Sequence, residues 1–260
     1  MFKPKITIVT SSYFRPDFLR RCIQSVQRQS FEDYEHIVVS DHAPFTKAVC
    51  DDFKDDHRIR FVEATEPYIY NLGAVSFNIG IKEAKSDYIC YALDDDILYE
   101  NHVLEHYNYL KNSSNVSVMS QLDQLPFRSP HDTAENILSH SFDMLNSHEN
   151  KYTGGHDVLT LSHTKQAGLD NEWIPQQNLR EWEDNVFIDS LGPHNFGIGC
   201  STALKIQWGG ISKKDTNGVD SDYYKLLMDK LIEDPNEPSG YKLISDSPYA
   251  YPEFKDNLYG

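Results

Sequence analysis

Long apolar runs are missing from this chain: 39% of its 260 residues are hydrophobic, yet no run approaches the roughly 20 residues needed to span a bilayer. Positive charge is scarce too. Lys and Arg number 24 against 40 Asp and Glu, a net charge of −16, and no basic patch offsets it, which argues against nucleic acid or an anionic membrane surface as partner. The four cysteines, Cys22, Cys50, Cys90 and Cys200, never fall in Cys-x-x-Cys spacing. Cys22 and Cys90 sit on apparent core faces, so reduced structural thiols are expected in place of disulfides or zinc ligands. There is no Gly-x-x-x-x-Gly-Lys phosphate loop, no Gly-x-Ser-x-Gly elbow and no His-Glu-x-x-His helix. The eleven histidines show no ligand spacing and are expected in core or surface roles. Internal repeats, low-complexity segments and a Pro/Gly linker are absent as well. Met1–Lys5 leads into strand-like Ile6–Val9, not into a signal-peptide core, and the expectation is a cytoplasmic protein.

What is present is enough apolar sequence for one sizeable core and a regular alternation of elements. Ile6–Val9 reads as a strand. Pro16–Gln29 reads as a helix, with Leu19, Cys22, Ile23 and Val26 at helical spacing and Pro16 suited to the first turn. His36–Val39 is a strand, Phe45–Phe53 a short helix and Ile59–Val62 a strand. Ala74–Lys85 is a helix and Tyr88–Leu93 a strand. A helix carrying Val103, Leu104, Tyr107 and Leu110 follows, then a strand at Val116–Met119. Such alternation predicts an α/β fold with a mostly parallel sheet between helices. Ligands of these sheets bind beyond the carboxyl ends of the strands. The Thr10–Arg15, Ser40–Pro44 and Asp94–Asp96 loops are expected to converge there.

The second half is less regular. Residues 121–150 are polar, without a sustained period, and read as an irregular loop or insertion. Trp173, Trp182 and Trp208 follow, expected mainly as core fillers, although exposed aromatics also serve as sugar platforms. Tyr223, Tyr224, Leu227, Met228 and Leu231 space as one face of a helix opening near Asp220, and Tyr241–Ile244 reads as a strand.

Asp94-Asp95-Asp96 directly follows the apolar run Tyr88–Leu93. Three adjacent carboxylates at one strand tip repel one another unless a cation or a hydrated rim relieves them. The residues alone leave two readings open, a divalent-metal site or a solvated turn capping the helix that begins near Glu100.

The order of segments resembles a family 2, GT-A-fold glycosyltransferase. The resemblance is carried by residues 6–19 (ITIVTSSYFRPDFL), 29–41 (QSFEDYEHIVVSD), Asn71-Leu72-Gly73 with Asn78, 86–97 (SDYICYALDDDI), and Gly209-Gly210-Ile211 with 218–223 (GVDSDY). It implies an inverting enzyme that moves a sugar from a nucleotide-sugar, usually UDP-linked, to a glycan or glycolipid hydroxyl with Mn²⁺ or Mg²⁺. Residues 1–120 would then form the nucleotide-sugar-binding half of one GT-A domain and residues 121–260 its acceptor-binding half. A membrane would be met only peripherally, through the acceptor.

The resemblance implies metal ligation by Asp95 and Asp96 and contact of Asp94 with ribose, with Leu93 standing where many members have the motif's first Asp. Tyr13 would stack on the base and Asp41 accept from a uracil N–H. Thr10, Ser12, Arg15, Asn71, Gly73 and Asn78 complete the implied nucleotide contacts. Asp220 is the expected general base, with Val219 in place of the usual Glu, and Asp184 in Trp182-Glu183-Asp184 stands in reserve. Two rival functions remain, a catalytically inactive GT-A module that binds a nucleotide-sugar or glycan, and a sugar-phosphate nucleotidyltransferase. The latter normally has a Gly-rich basic loop, which Thr10–Arg15 lacks.

Overall fold

Strands whose residues are apolar on both faces must be covered on both faces, and that requirement organises the computed structural model, which describes residues 3–12, 16–40, 46–64, 73–125, 157–174, 183–193, 196–206, 231–233 and 241–243. In chain order the elements are β1 (Ile6–Ser12), α1 (Pro16–Gln27), β2 (Tyr34–Ser40), α2 (Thr46–Asp51), β3 (Ile59–Glu63), α3 (Ala74–Glu83), β4 (Tyr88–Tyr91), β5 (Ile97–Leu98), α4 (His102–Asn112), β6 (Ser117–Met119) and β7 (Gln121–Leu125). A 3-10 turn (Val158–Thr160) leads into β8 (Leu161–Thr164), followed by α5 (Lys165–Asp170), α6 (Glu183–Ser190), β9 (Ser201–Ile206), β10 (Leu231–Glu233) and β11 (Tyr241–Leu243).

The main sheet has the order β3-β2-β1-β4-β8-β6. β3, β2, β1 and β4 are mutually parallel, and β8 runs antiparallel between β4 and β6. The fold is therefore α/β with a mostly parallel central sheet, as the alternation predicts. Strand pleating divides the core into two layers. Val9, Ile37, Val39, Ile89 and Tyr91 pack with Phe77 and Ile81 of α3, Trp173, and Phe187 and Ile188 of α6. Ile6, Ile8, Cys90 and Ala92 face the other way, against Cys22 and Val26 of α1 and Val103 and Tyr107 of α4. Helix α3 lies so close to β1 that a Cβ on Gly80 would fall 2.2 Å from Val9 Cγ1.

The first half follows the expected elements with shifted ends. The differences gather after Met119. Gln121–Leu125, expected as irregular, is a strand that pairs in parallel with β9, and β9 also holds β5 in an antiparallel pair. Strands of two to six residues leave too few positions for a period to register, and β5 follows the acid triplet with only two residues of its own. β8 escaped notice because Leu161-Ser162-His163-Thr164 reads as polar, although Leu161, Ser162 and His163 are buried. Leu231 opens β10, paired with β11, and so is not the last apolar position of a helix; the remaining residues of that expected helix lie outside the described set. Trp173 fills the core, whereas Trp182 and Trp208 lie outside the described residues. The four cysteines are free, and Cys22, Cys50 and Cys90 are buried. Among the described residues no helix is long and apolar enough to cross a membrane.

Candidate active site

Strand β1 sits between β2 and β4, and α3 carries the chain from β3 at one edge across to β4 on the far side of β1. Sheet order reverses at this point, where parallel α/β sheets bind ligands beyond their carboxyl ends. The tips are nearly level. Ser12 lies opposite Ser40, Val9 lies opposite Tyr91, and the Ala92 N–H donates to the Val9 carbonyl at 3.1 Å. Of the three loops expected to converge here, Asp94–Asp96 is described at the β4 end of the sheet, and residues 13–15 and 41–44 of the other two lie outside the described residues.

At the β4 tip the chain turns tightly, the Asp96 N–H donating to the Leu93 carbonyl at 3.1 Å. Asp94 and Asp96 are buried and Asp95 is half-buried. Antiparallel pairing of Ile97 with Leu204 sets Lys205 across from Asp96 in the next step of the ladder. Lys205 forms an ion pair with Asp157, whose other carboxylate oxygen accepts from the Leu159 N–H at 2.9 Å and so caps the 3-10 turn. Burial pushes the Lys205 ammonium toward neutrality, but Asp157, Asp96 and Asp95 outweigh it and leave its pKa above the ordinary lysine value. Burial raises the pKa of the Asp184 carboxyl, the Asn185 N–H opposes that, Asp157 raises it further and Lys205 lowers it. Asp184 therefore shares electrostatic neighbours with the acid turn. Lys205 and Asp157 had no place in the sequence reading. The available signal was a single charged residue inside the strand Ser201–Ile206.

Asp184 is held by a chain of packed side chains. It lies three and four residues before Phe187 and Ile188, on the same side of α6, and Phe187 stacks on Trp173 with ring centroids 4.1 Å apart at 15°. Trp173 is fixed in turn. Its indole N–H donates to Tyr91 Oη at 3.2 Å, its backbone N–H donates to Asn78 Oδ1 at 2.9 Å, and its carbonyl accepts from Asn78 Nδ2 at 2.9 Å. Tyr91 Oη is also 2.6 Å from His163 Nε2.

This revises the place of several expected contacts. The Asn78 amide is engaged at both ends by Trp173, which makes Asn78 a loop clamp. Thr10 and Ser12 share their pleat parity with Ile6 and Ile8, so their hydroxyls turn under the helices. Thr10 Oγ1 is 2.8 Å from His36 Nε2 and Ser12 Oγ is 3.0 Å from Thr46 Oγ1. At these two positions only the backbone is left to meet a ligand. Gly73 caps α3 at φ +119°, a left-handed conformation that favours glycine, and a Cβ there would lie 2.8 Å from the Phe77 ring. Tyr13, Arg15, Asp41, Asn71 and Asp220 lie outside the described residues. Cys22, near the acid turn, is an unreactive thiol, since burial raises its pKa and the three aspartates raise it further.

The donor set suits a hard divalent cation, because carboxylate oxygens are its preferred ligands. Among the described residues no three or more His, Cys, Asp or Glu side chains converge as a cage. One or two carboxylates, with phosphate oxygens and water, would suffice to hold such an ion.

A mostly parallel α/β sheet with an acid turn at its order reversal is a GT-A architecture. The chain belongs to glycosyl transferase family 2, whose model matches residues 7–167. It is 31% identical over 97 residues to the GalNAc(5)-diNAcBac-PP-undecaprenol beta-1,3-glucosyltransferase of Campylobacter jejuni, covering 36% of this chain and 31% of that one. Its fold resembles S. aureus TarS 1–349 in complex with UDP-GlcNAc, with TM-score 0.62, 13% identity and coverage of 86% and 64% of the two chains. It also resembles the mannosyltransferase PcManGT from Pyrobaculum calidifontis in complex with GDP-Man and Mn²⁺, with TM-score 0.54, 11% identity and coverage of 80% and 57%. The matches to curated relatives span between 14% and 41% of those proteins' length.

Proposed function

We propose that this chain transfers a sugar, with inversion, from a nucleotide-sugar, UDP-linked by preference, to a hydroxyl of a glycan or glycolipid acceptor. The observation that carries the reading is the acid turn Asp94–Asp96 at the point of sheet-order reversal, beside the β1 and β2 tips. Family membership supports the reaction class. The nucleotide-sugars in the TarS and PcManGT complexes support the donor class, and the undecaprenol-linked substrate in the name of the Campylobacter jejuni relative supports the acceptor class.

In this reading Asp95 and Asp96 hold Mn²⁺ or Mg²⁺, which when bound offsets the charge of the leaving diphosphate. Asp94 lies toward the ribose, and Tyr13 and Asp41 flank the base with Arg15 and Asn71 nearby. Asp184 accepts the proton of the attacking hydroxyl. Its half-buried position raises its proton affinity, the direction a base requires, and Lys205 interacts both with it and with the acid turn. Asp184 is the base candidate among the described residues, and Asp220, outside them, keeps the role that the family resemblance implies. The Trp173–Phe187 stack fixes the helix that presents it.

Calorimetry with UDP tests the binding half of this reading. Binding is expected to require Mn²⁺, and Asp95→Ala is expected to abolish most of that requirement along with most of the affinity. Equal UDP affinity in Mn²⁺ and in excess EDTA would remove the cation from the account.

A further inference from the structure

Lys205 stands between two carboxylate groups to which the proposed function gives different tasks. On one side the β5/β9 ladder sets it across from Asp96, and its ammonium interacts with Asp96 and Asp95. On the other it is ion-paired to Asp157, whose side chain is 12% exposed against 26% for Lys205, and both interact with Asp184. A lysine this well enclosed exchanges much of its hydration for protein carboxylates, so its position is set by them. Its charge stands on the β9 side of the acid turn, and like charges in a partly desolvated site repel appreciably.

We propose that Lys205 is the resident counter-charge of the metal site: paired to Asp157, it holds down the affinity of the Asp94–Asp96 turn for a divalent cation, so that cation and donor diphosphate are captured together. The inference rests on the reading of Asp95 and Asp96 as metal ligands. With Lys205 in place the bare turn is already partly neutralised, and a divalent ion gains full affinity only when the diphosphate brings further negative charge. Asp157 tethers the lysine and contributes a negative charge of its own. Removing the lysine and removing its partner therefore act on the cation in opposite directions. A scaffold residue behaves differently, since loosening the site from either side weakens binding.

The test is a titration of the full chain with MnCl₂ in the absence of nucleotide, with free Mn²⁺ read by electron paramagnetic resonance. Lys205→Gln is expected to tighten Mn²⁺ binding roughly tenfold and Asp157→Asn, which retains the oxygen that caps the 3-10 turn, to weaken it by about the same factor. Lys205→Arg keeps the charge and is expected to keep the unsubstituted affinity; circular dichroism verifies the fold of each variant. Saturable Mn²⁺ binding by the unsubstituted chain, with Lys205→Gln equal or weaker, would overturn this proposal alone. If Lys205→Gln fails to fold, Lys205→Arg and Asp157→Asn decide: weakened binding in both overturns the proposal. Where the unsubstituted chain shows no saturable binding, saturable binding by Lys205→Gln supports the proposal and its absence overturns it; no saturable Mn²⁺ binding by either chain even with UDP present would overturn the metal assignment as well.

Discussion

Asn78→Ala removes the two hydrogen bonds that clamp the backbone of Trp173, at 2.9 Å each. Trp173 is buried, and each bond lost by its backbone N–H and carbonyl costs about 1–1.5 kcal/mol, so the substitution should cost about 2–3 kcal/mol. For a chain of this size each kcal/mol shifts the melting temperature by about 2–4 °C, which puts the expected fall at roughly 5–10 °C. Both ends of the Asn78 amide are committed to Trp173. UDP affinity, measured by calorimetry well below the transition, should therefore change by less than about twofold, whereas loss of a direct nucleotide hydrogen bond would cost about 1 kcal/mol or more, fivefold and upward. A differential scanning melt and a UDP titration on the same sample read both quantities. An unchanged melting temperature with tenfold weaker UDP binding would refute the reasoning and return Asn78 to the nucleotide site.

Gly80→Ala places a methyl 2.2 Å from Val9 Cγ1, and valine is stiff about χ1; overpacking of about 1–3 kcal/mol should exceed the gain of about 1 kcal/mol in helix propensity. The urea midpoint should fall, and an unchanged or higher midpoint would contradict the close packing of α3 on β1. Burial pushes His36 and His102 down to about 3 and His163 to about 4 from the ordinary 6.5, and lowers His106 as well, with His102 adding to the effect. Neutral in the fold and protonated when unfolded, these side chains contribute stability that is fully present above pH 6.5 and is lost as pH falls toward 4. Between pH 7.5 and 5.5 the three with stated values should cost together about 4 kcal/mol, with Asp184 acting in the opposite direction, and urea midpoints that do not move across this window would refute it.

The first half of the fold was legible because each strand there is rich in β-branched and aromatic residues and the helices carry apolar stripes: Leu19, Cys22, Ile23 and Val26 are all buried, as their spacing predicts. The second half was not, for reasons of length and polarity. β8 hides behind Ser162 and His163, buried polar residues whose partners, His106 Nδ1 at 2.7 Å and Tyr91 Oη at 2.6 Å, come from distant parts of the chain. No local pattern records such pairing. The acid turn was legible as a cluster of carboxylates after an apolar strand. The family resemblance placed Thr10 and Ser12 at the nucleotide without saying which atoms face it, and pleat parity sends both hydroxyls beneath α1 and α2. Lys205 and Asp157 became visible only through the β5/β9 ladder, which joins residues more than a hundred positions apart.

Turnover of a donor is the most direct test of the central claim, that the acid turn and Asp184 together form a glycosyl-transfer site. The chain with Mn²⁺ is to be incubated with UDP-GlcNAc and the other common UDP-sugars, with UDP release and the anomer of the first sugar formed read by NMR before mutarotation. The account predicts slow release of UDP to water, a product of the anomeric configuration opposite to the donor's, and a fall of roughly 10²–10⁴ in rate for Asp184→Asn, with UDP affinity retained. UDP that binds while no UDP-sugar is ever cleaved would contradict the account in favour of a binding module. A sugar of retained configuration, or near-normal turnover by Asp184→Asn with loss in Asp220→Asn, would contradict the role given to Asp184.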